Sequence, residues 1–186
     1  MGLLIAGVLL WSVVHFSPMV ASGPRSKLIS SMGEGPYKGL FSLLIVGSIV
    51  LMVFGWRGSE FVSVYDAPTW GRHVTMLLML VAFILFGASA YPSSIKRVLR
   101  HPMLSSIIVW AVAHLLSNGD QSSIVLFGGL GIWALISIFL INRRDGEWEK
   151  PEAGSTVRQI RGLVISVVIL VIVMFLHPYF TGIALF

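Results

Sequence analysis

Two of the five histidines, His15 and His114, stand inside apolar stretches, and they are the side chains here best suited to hold a metal. An imidazole in hydrocarbon is costly unless it has a partner, and its neutral form offers one nitrogen lone pair. Two such rings with no carboxylate beside them make a poor proton relay but a suitable pair of axial ligands for haem iron. Read as a helix, Ile107, Trp110, His114 and Ser117 share one face, because residues three and four apart are neighbours. That face is large and aromatic and carries one metal-capable nitrogen. A packed, hydrogen-bonded core histidine is the other reading of His114, and the residues alone leave both open. His15 lies three residues before Pro18, which ends or kinks its helix. His101 precedes Pro102 among Lys96, Arg97 and Arg100, and His73 and His177 sit near the ends of apolar runs, where water solvates them.

The elements that must position these rings are membrane helices. The 186 residues are 56% hydrophobic and 11% charged, against about a quarter charged in a soluble domain. Six apolar runs cover about 2–20, 39–56, 73–91, 103–117, 122–141 and 162–180, and none contains Asp, Glu, Lys or Arg. Each approaches the roughly 20 residues that cross a bilayer, the fourth being short. They lack the alternation of a barrel strand. The expected fold is an all-α integral membrane bundle of about six transmembrane helices, forming a single domain over 1–186 in contact with the lipid bilayer. Met1 and Gly2 give no positive leader region and the first run continues to Val20, so it reads as a span, not a cleaved signal.

Of the 13 basic residues, Arg25, Lys27, Lys38, Lys96, Arg97, Arg100, Arg143, Arg144, Lys150, Arg158 and Arg161 fall in the first, third and fifth loops. The positive-inside rule then puts those loops in the cytoplasm and both termini outside. Topology thus explains the net charge of +5, which points to no nucleic-acid partner. The polar trio Asn118-Gly119-Asp120 reads as a tight turn, with Gly119 as a left-handed helix end and Asp120 as the cap of the next helix. Residues 142–161 are the most charged stretch and read as a solvated, mobile loop. The glycines around Leu130 lie inside a span and suit close helix packing better than phosphate binding.

Several chemistries are excluded. The chain has no cysteine, which removes disulfides, iron–sulfur ligation and covalent haem attachment. There is no H-E-x-x-H, Walker or G-x-S-x-G motif. Spans without carboxylates also argue against a proton- or sodium-coupled transporter.

The stretches Arg100-His101-Pro102-Met103-Leu104 and Trp110-Ala111-Val112-Ala113-His114-Leu115-Leu116-Ser117-Asn118-Gly119-Asp120 resemble the signature of the NnrU family. So do Gly33-Glu34-Gly35-Pro36-Tyr37-Lys38-Gly39-Leu40, the helix of His15, and His177-Pro178, so the resemblance spans essentially the whole chain. NnrU proteins are bacterial membrane proteins linked to nitrite and nitric oxide reduction, and the family includes the plant 15-cis-ζ-carotene isomerase, a haem b enzyme. The resemblance therefore implies a bacterial inner-membrane protein with non-covalent haem b and His15 and His114 as iron ligands; Trp110, one turn before His114, would offer apolar area to the ring, and Arg97 and Arg100 on the inner side, or Arg72 on the outer, would pair with propionates. It implies redox-linked isomerisation of an apolar or carotenoid-like small molecule, or a part in nitrogen-oxide reduction with a redox partner. The alternative is a non-enzymatic accessory or assembly factor for a denitrification complex. The isomerase carries a cysteine three residues before its matching histidine, where this chain has Ala111, so a ligand switch through that thiol is absent here. From the expected topology, His15 and His114 differ in depth by roughly 10–15 Å, which leaves His73 and His177 as alternate partners for His114.

Overall fold

The computed structural model describes residues 1–183 and 185; Ala184 and Phe186, the other two positions of the expected 1–186 domain, lie outside the described residues. The chain forms α1 (Gly2–Val20), α2 (Ser22–Met32), α3 (Glu34–Arg57), α4 (Gly71–Ser89), a 3-10 turn (Ser94–Arg97), α5 (Pro102–Leu115), α6 (Gln121–Asp145) and α7 (Thr156–Thr181). Among the described residues there is no strand, only an isolated bridge between Ser63 and Asp120. α1, α3, α4, α6 and α7 are long and apolar enough to cross a membrane, and α5 is a shorter apolar helix of 14 residues. The protein is an all-helical membrane protein, as the apolar runs predict. At about 1.5 Å per residue α5 covers about 21 Å, short of the roughly 30 Å hydrocarbon core.

The chain groups into two compact units, one of residues 1–66 with 119–146, the other of 67–118 with 147 onward. In the first, α1 packs on α3 through glycine. A Cβ on Gly7 would lie 2.7 Å from Met52 Cγ and 2.8 Å from the Ser48 carbonyl oxygen, and one on Gly55 would collide with the Leu4 backbone. Without a hydrophobic drive between helices in lipid, such close backbone approach supplies the packing. Leu4, Val8 and Met52 are buried there, with Trp11, Trp56, Leu126 and Leu130 packed around them. α6 joins this core through Gly129, where a Cβ would stand 2.7 Å from Val8 Cγ1. It starts on Asp120, whose Oδ1 accepts from the Ser123 amide at 2.9 Å, so the capping expected of Asp120 is present. Its next turn, Ile124–Gly128, is π-helical, and Phe127 in it packs edge-on to Trp56 with centroids 5.8 Å apart.

Gly119 departs from expectation. The positive-φ glycines are Gly33, Gly146 and Gly182, so Gly119 is not a left-handed helix end. Its carbonyl instead accepts from the amides of Val64 (2.9 Å) and Tyr65 (3.1 Å), while the Gln121 amide donates to the Val62 carbonyl at 2.9 Å. A side chain at 119 would run into the Tyr65 carbonyl. Glycine is needed here for close backbone approach, and the clasp satisfies turn polar groups that hydrocarbon would not.

In the second unit α4 runs against α5 and α7. Thr75 Oγ1 donates to the Ala113 carbonyl at 2.6 Å and lies 2.7 Å from Ser117 Oγ. Gly71 is small where the Leu116 carbonyl approaches, Gly87 where Ser166 does, and Gly162 where the Tyr91 ring does.

Helix ends differ from the apolar runs because a helix continues into polar residues until something stops it. α6 extends through Arg143, Arg144 and Asp145 to Gly146 at φ 65°, and α7 begins at Thr156. The expected 142–161 loop therefore shrinks to 146–155. Its end is tied down: the Gly154 amide donates to the Pro92 carbonyl at 2.8 Å, and Gln159 Oε1 accepts from Ser94 Oγ at 2.6 Å. α1 continues through Pro18 and stops two residues later, at Val20.

Candidate functional site

His15 and His114 sit in different units, each on an apolar helix, and each is held the same way. His15 Nδ1 lies 2.9 Å from the carbonyl oxygen of Trp11, four residues earlier. His114 Nδ1 lies 2.9 Å from the carbonyl oxygen of Trp110, again four residues earlier. A carbonyl oxygen only accepts, so in both rings the proton is on Nδ1 and the lone pair on Nε2. Fixing one ring nitrogen through a backbone carbonyl is the arrangement that orients metal-ligating histidines and sets their tautomer. The sequence repeats the spacing: Trp11 and His15, Trp110 and His114.

The surroundings of His15 are aromatic. Its ring centroid is 4.2 Å from Trp11, 5.0 Å from Trp133 and 5.7 Å from Phe41. Trp11 and Trp133 meet edge-on at 5.5 Å. The indole Nε1 atoms of both are buried without a hydrogen-bond partner among the described residues. A buried donor left unmade costs about 1–3 kcal/mol, so two of them beside one imidazole mark a place where an acceptor-bearing group would be stabilised. Sequence reasoning had Trp110 next to His114 but missed Trp11, Trp133 and Phe41 as the walls around His15. The repeated spacing was the available signal for Trp11; nothing in the sequence joined Trp133 or Phe41 to it.

In the second unit Trp110 and His114 are 5.0 Å apart between ring centroids. The Asn118 amide donates to the His114 carbonyl at 2.9 Å, tying the turn to this end of α5. His177, on α7 of the same unit, has its Nδ1 3.0 Å from the Ile183 carbonyl oxygen, which again leaves the lone pair on Nε2. The His73 ring makes no hydrogen bond among the described residues, although it lies on the first turn of α4. Arg100 precedes α5 and so stands about 20 Å along the helix axis from His114. Arg72 is at the other end: α4 starts where the Leu116 carbonyl approaches Gly71, and the Arg72 guanidinium donates to the Leu185 carbonyl. Ala111, three residues before His114, is buried.

No three His, Asp or Glu side chains converge to hold a metal ion among the described residues. A porphyrin does not ask for such a cluster, since it brings four nitrogens and needs only one or two axial ligands. The donor set, neutral imidazoles with a fixed Nε2 lone pair in apolar and aromatic surroundings, fits that group.

A family model described as NnrU protein matches residues 3–185. No curated protein and no solved structure matches the chain.

Proposed function

The chain belongs to the NnrU family, and on that premise we propose that it is a multi-pass haem b protein of the cell membrane, with His114 as an iron ligand and His15, in the other unit, as a second candidate ligand. The observation that carries this reading is the matched pair of Nδ1–H bonds to Trp110 and Trp11, which leaves the lone pair of each imidazole on Nε2. Bound haem would supply a one-electron redox centre.

The chain's own residues do the rest. The Trp carbonyls hold the rings in one tautomer and raise their basicity as ligands. Trp110, Trp11 and Trp133 give flat apolar surface, and the unpartnered indole N–H groups of Trp11 and Trp133 give donors for an acceptor on the cofactor or a small ligand. Arg72, on the His114 side of its unit, and Arg100, before α5, are the cations that would pair with a propionate. His177 is the alternate second ligand, because it shares a unit with His114 and carries the same lone-pair arrangement. The reaction this equipment suits is redox-linked isomerisation of an apolar molecule or a step in nitrite or nitric oxide reduction. With Ala111 three residues before His114 and no cysteine in the chain, no thiol would serve as a ligand.

The test is an absorption spectrum of detergent-purified protein from haem-replete cells, with pyridine extraction to identify the porphyrin. A Soret band and a haem b extract support the reading. A folded, colourless protein overturns it and leaves the accessory or assembly role.

A further inference from the structure

The second unit contains a cleft of about 510 Å³ that the histidines do not line. Its walls are the end of α4, including Phe83 and Phe86, and one face of α7, including Arg158, Arg161, Ile165 and Ile169. These α7 residues are spaced by three and four, so they form one stripe. Along it the chemistry changes in order: two guanidinium groups at the helix start, then apolar surface. From Arg161 to Ile169 the helix rises about 12 Å. A phospholipid has this sequence of parts, an anionic phosphate followed by an acyl chain.

Charge sharpens the match. Arg158 and Arg161 are exposed, and the ion pairs of the described residues, Lys38 with Glu34 and Arg144 with Asp145, involve neither of them. Arg144, by contrast, is paired with Asp145 at 2.6 Å. The walls are joined by fixed contacts, not by a loose loop: α4 meets α7 where Gly87 is small against Ser166, and Gly162 of α7 has no room for a side chain because the Tyr91 ring covers it. Gln159 ties the start of α7 to Ser94 and, through its Nε2, to the Gly154 carbonyl at 3.0 Å. The cleft thus has a fixed floor, an apolar length and an unneutralised cationic mouth. Basic pockets between transmembrane helices recognise anionic lipid headgroups for this reason.

We propose that the cleft between α4 and α7 is a specific site for one anionic phospholipid, with Arg158 and Arg161 on its phosphate and Phe86, Ile165 and Ile169 along an acyl chain. The site is separate from the haem reading and does not depend on it.

Native mass spectrometry of delipidated protein titrated with phosphatidylglycerol or phosphatidylcholine tests this. Wild-type protein should bind one phosphatidylglycerol with a preference of about thirtyfold, the scale expected from two arginines near a headgroup. The double variant R158Q/R161Q should lose the preference, and R143Q/R144Q should keep it. Ile165→Trp, which fills the apolar length and leaves both arginines, should weaken the first adduct of either lipid. Inorganic phosphate should not displace the lipid; displacement would mean a site for the free anion instead. Equal binding of both lipids by wild type overturns the proposal. So does an unchanged preference in R158Q/R161Q, or an equal loss in R143Q/R144Q.

Discussion

His114 Nδ1 and the Trp110 carbonyl oxygen are 2.9 Å apart, and that one contact decides which nitrogen of the ring can meet a metal. A helix normally spends the Trp110 carbonyl on an amide four residues later; here it also receives an imidazole N–H. The repeat of this contact in His15 and Trp11, in a different helix and a different unit, makes chance a poor account of it. In each case an aromatic ring lies against the imidazole, so the ring's orientation is fixed by packing as well as by the hydrogen bond.

The turn before α6 gives a stability prediction. Gly119→Ala pushes a methyl into the Tyr65 carbonyl and should cost about 1–3 kcal/mol. Gly128, which has nothing within 4 Å of its Cβ direction, should accept Ala without loss. Asp120→Ala, which removes the cap on Ser123, should cost about 1 kcal/mol. Thermal unfolding in detergent measures all three, and equal stability of Gly119→Ala and Gly128→Ala would show that the clasp is not formed.

Tyr65 gives a pH prediction in the same clasp. Partial burial, and after it the Asp120 carboxylate, push its phenol up from the ordinary value. A folded-state value above the unfolded one means that the neutral phenol is favoured by folding. Its contribution is full below about pH 10, the unfolded value, and is lost as pH rises through the folded value. Ultraviolet difference titration of wild type against Tyr65→Phe should show this late-titrating phenol, and Asp120→Asn should bring it down. A phenol that titrates at the ordinary value in wild type counts against the contact.

Topology is testable because the chain has no cysteine to remove. A single cysteine at Glu60 should react with a membrane-impermeant maleimide in intact cells. One at Glu149 should react only after permeabilisation, since the basic residues cluster in its loop. The reverse pattern would invert the orientation.

The six apolar helices were legible because hydrocarbon demands long uninterrupted runs, and polar residues interrupt them sharply at Asn118 and Arg143. Helix in polar sequence was not. α2 contains Gly23, Pro24, Arg25 and Lys27, which read as loop, yet it forms one continuous helix to Gly33 at φ 89°. Gly119 was placed correctly in a turn but for the wrong backbone reason, because its partner, Tyr65, is distant in sequence. His114 and Trp110 were visible from their spacing within one helix, whereas the box around His15 draws Trp133 and Phe41 from two other helices. Spacing carries information within an element and none between elements.

The roles of the remaining histidines separate in single variants. His15→Ala should shift or weaken the Soret band of the purified protein, and His177→Ala should do so instead if His177 is the second ligand. His101→Ala, at the start of α5, should leave the band as in wild type. Unaltered spectra in both variants would mean that neither His15 nor His177 holds the iron.

The most direct measurement is the Soret absorbance per folded protein in His114→Gly, read with and without added imidazole. The haem account predicts that the band is lost in the variant and returns with imidazole, which would occupy the space of the missing ring. A band of wild-type position and intensity in His114→Gly without imidazole would contradict it.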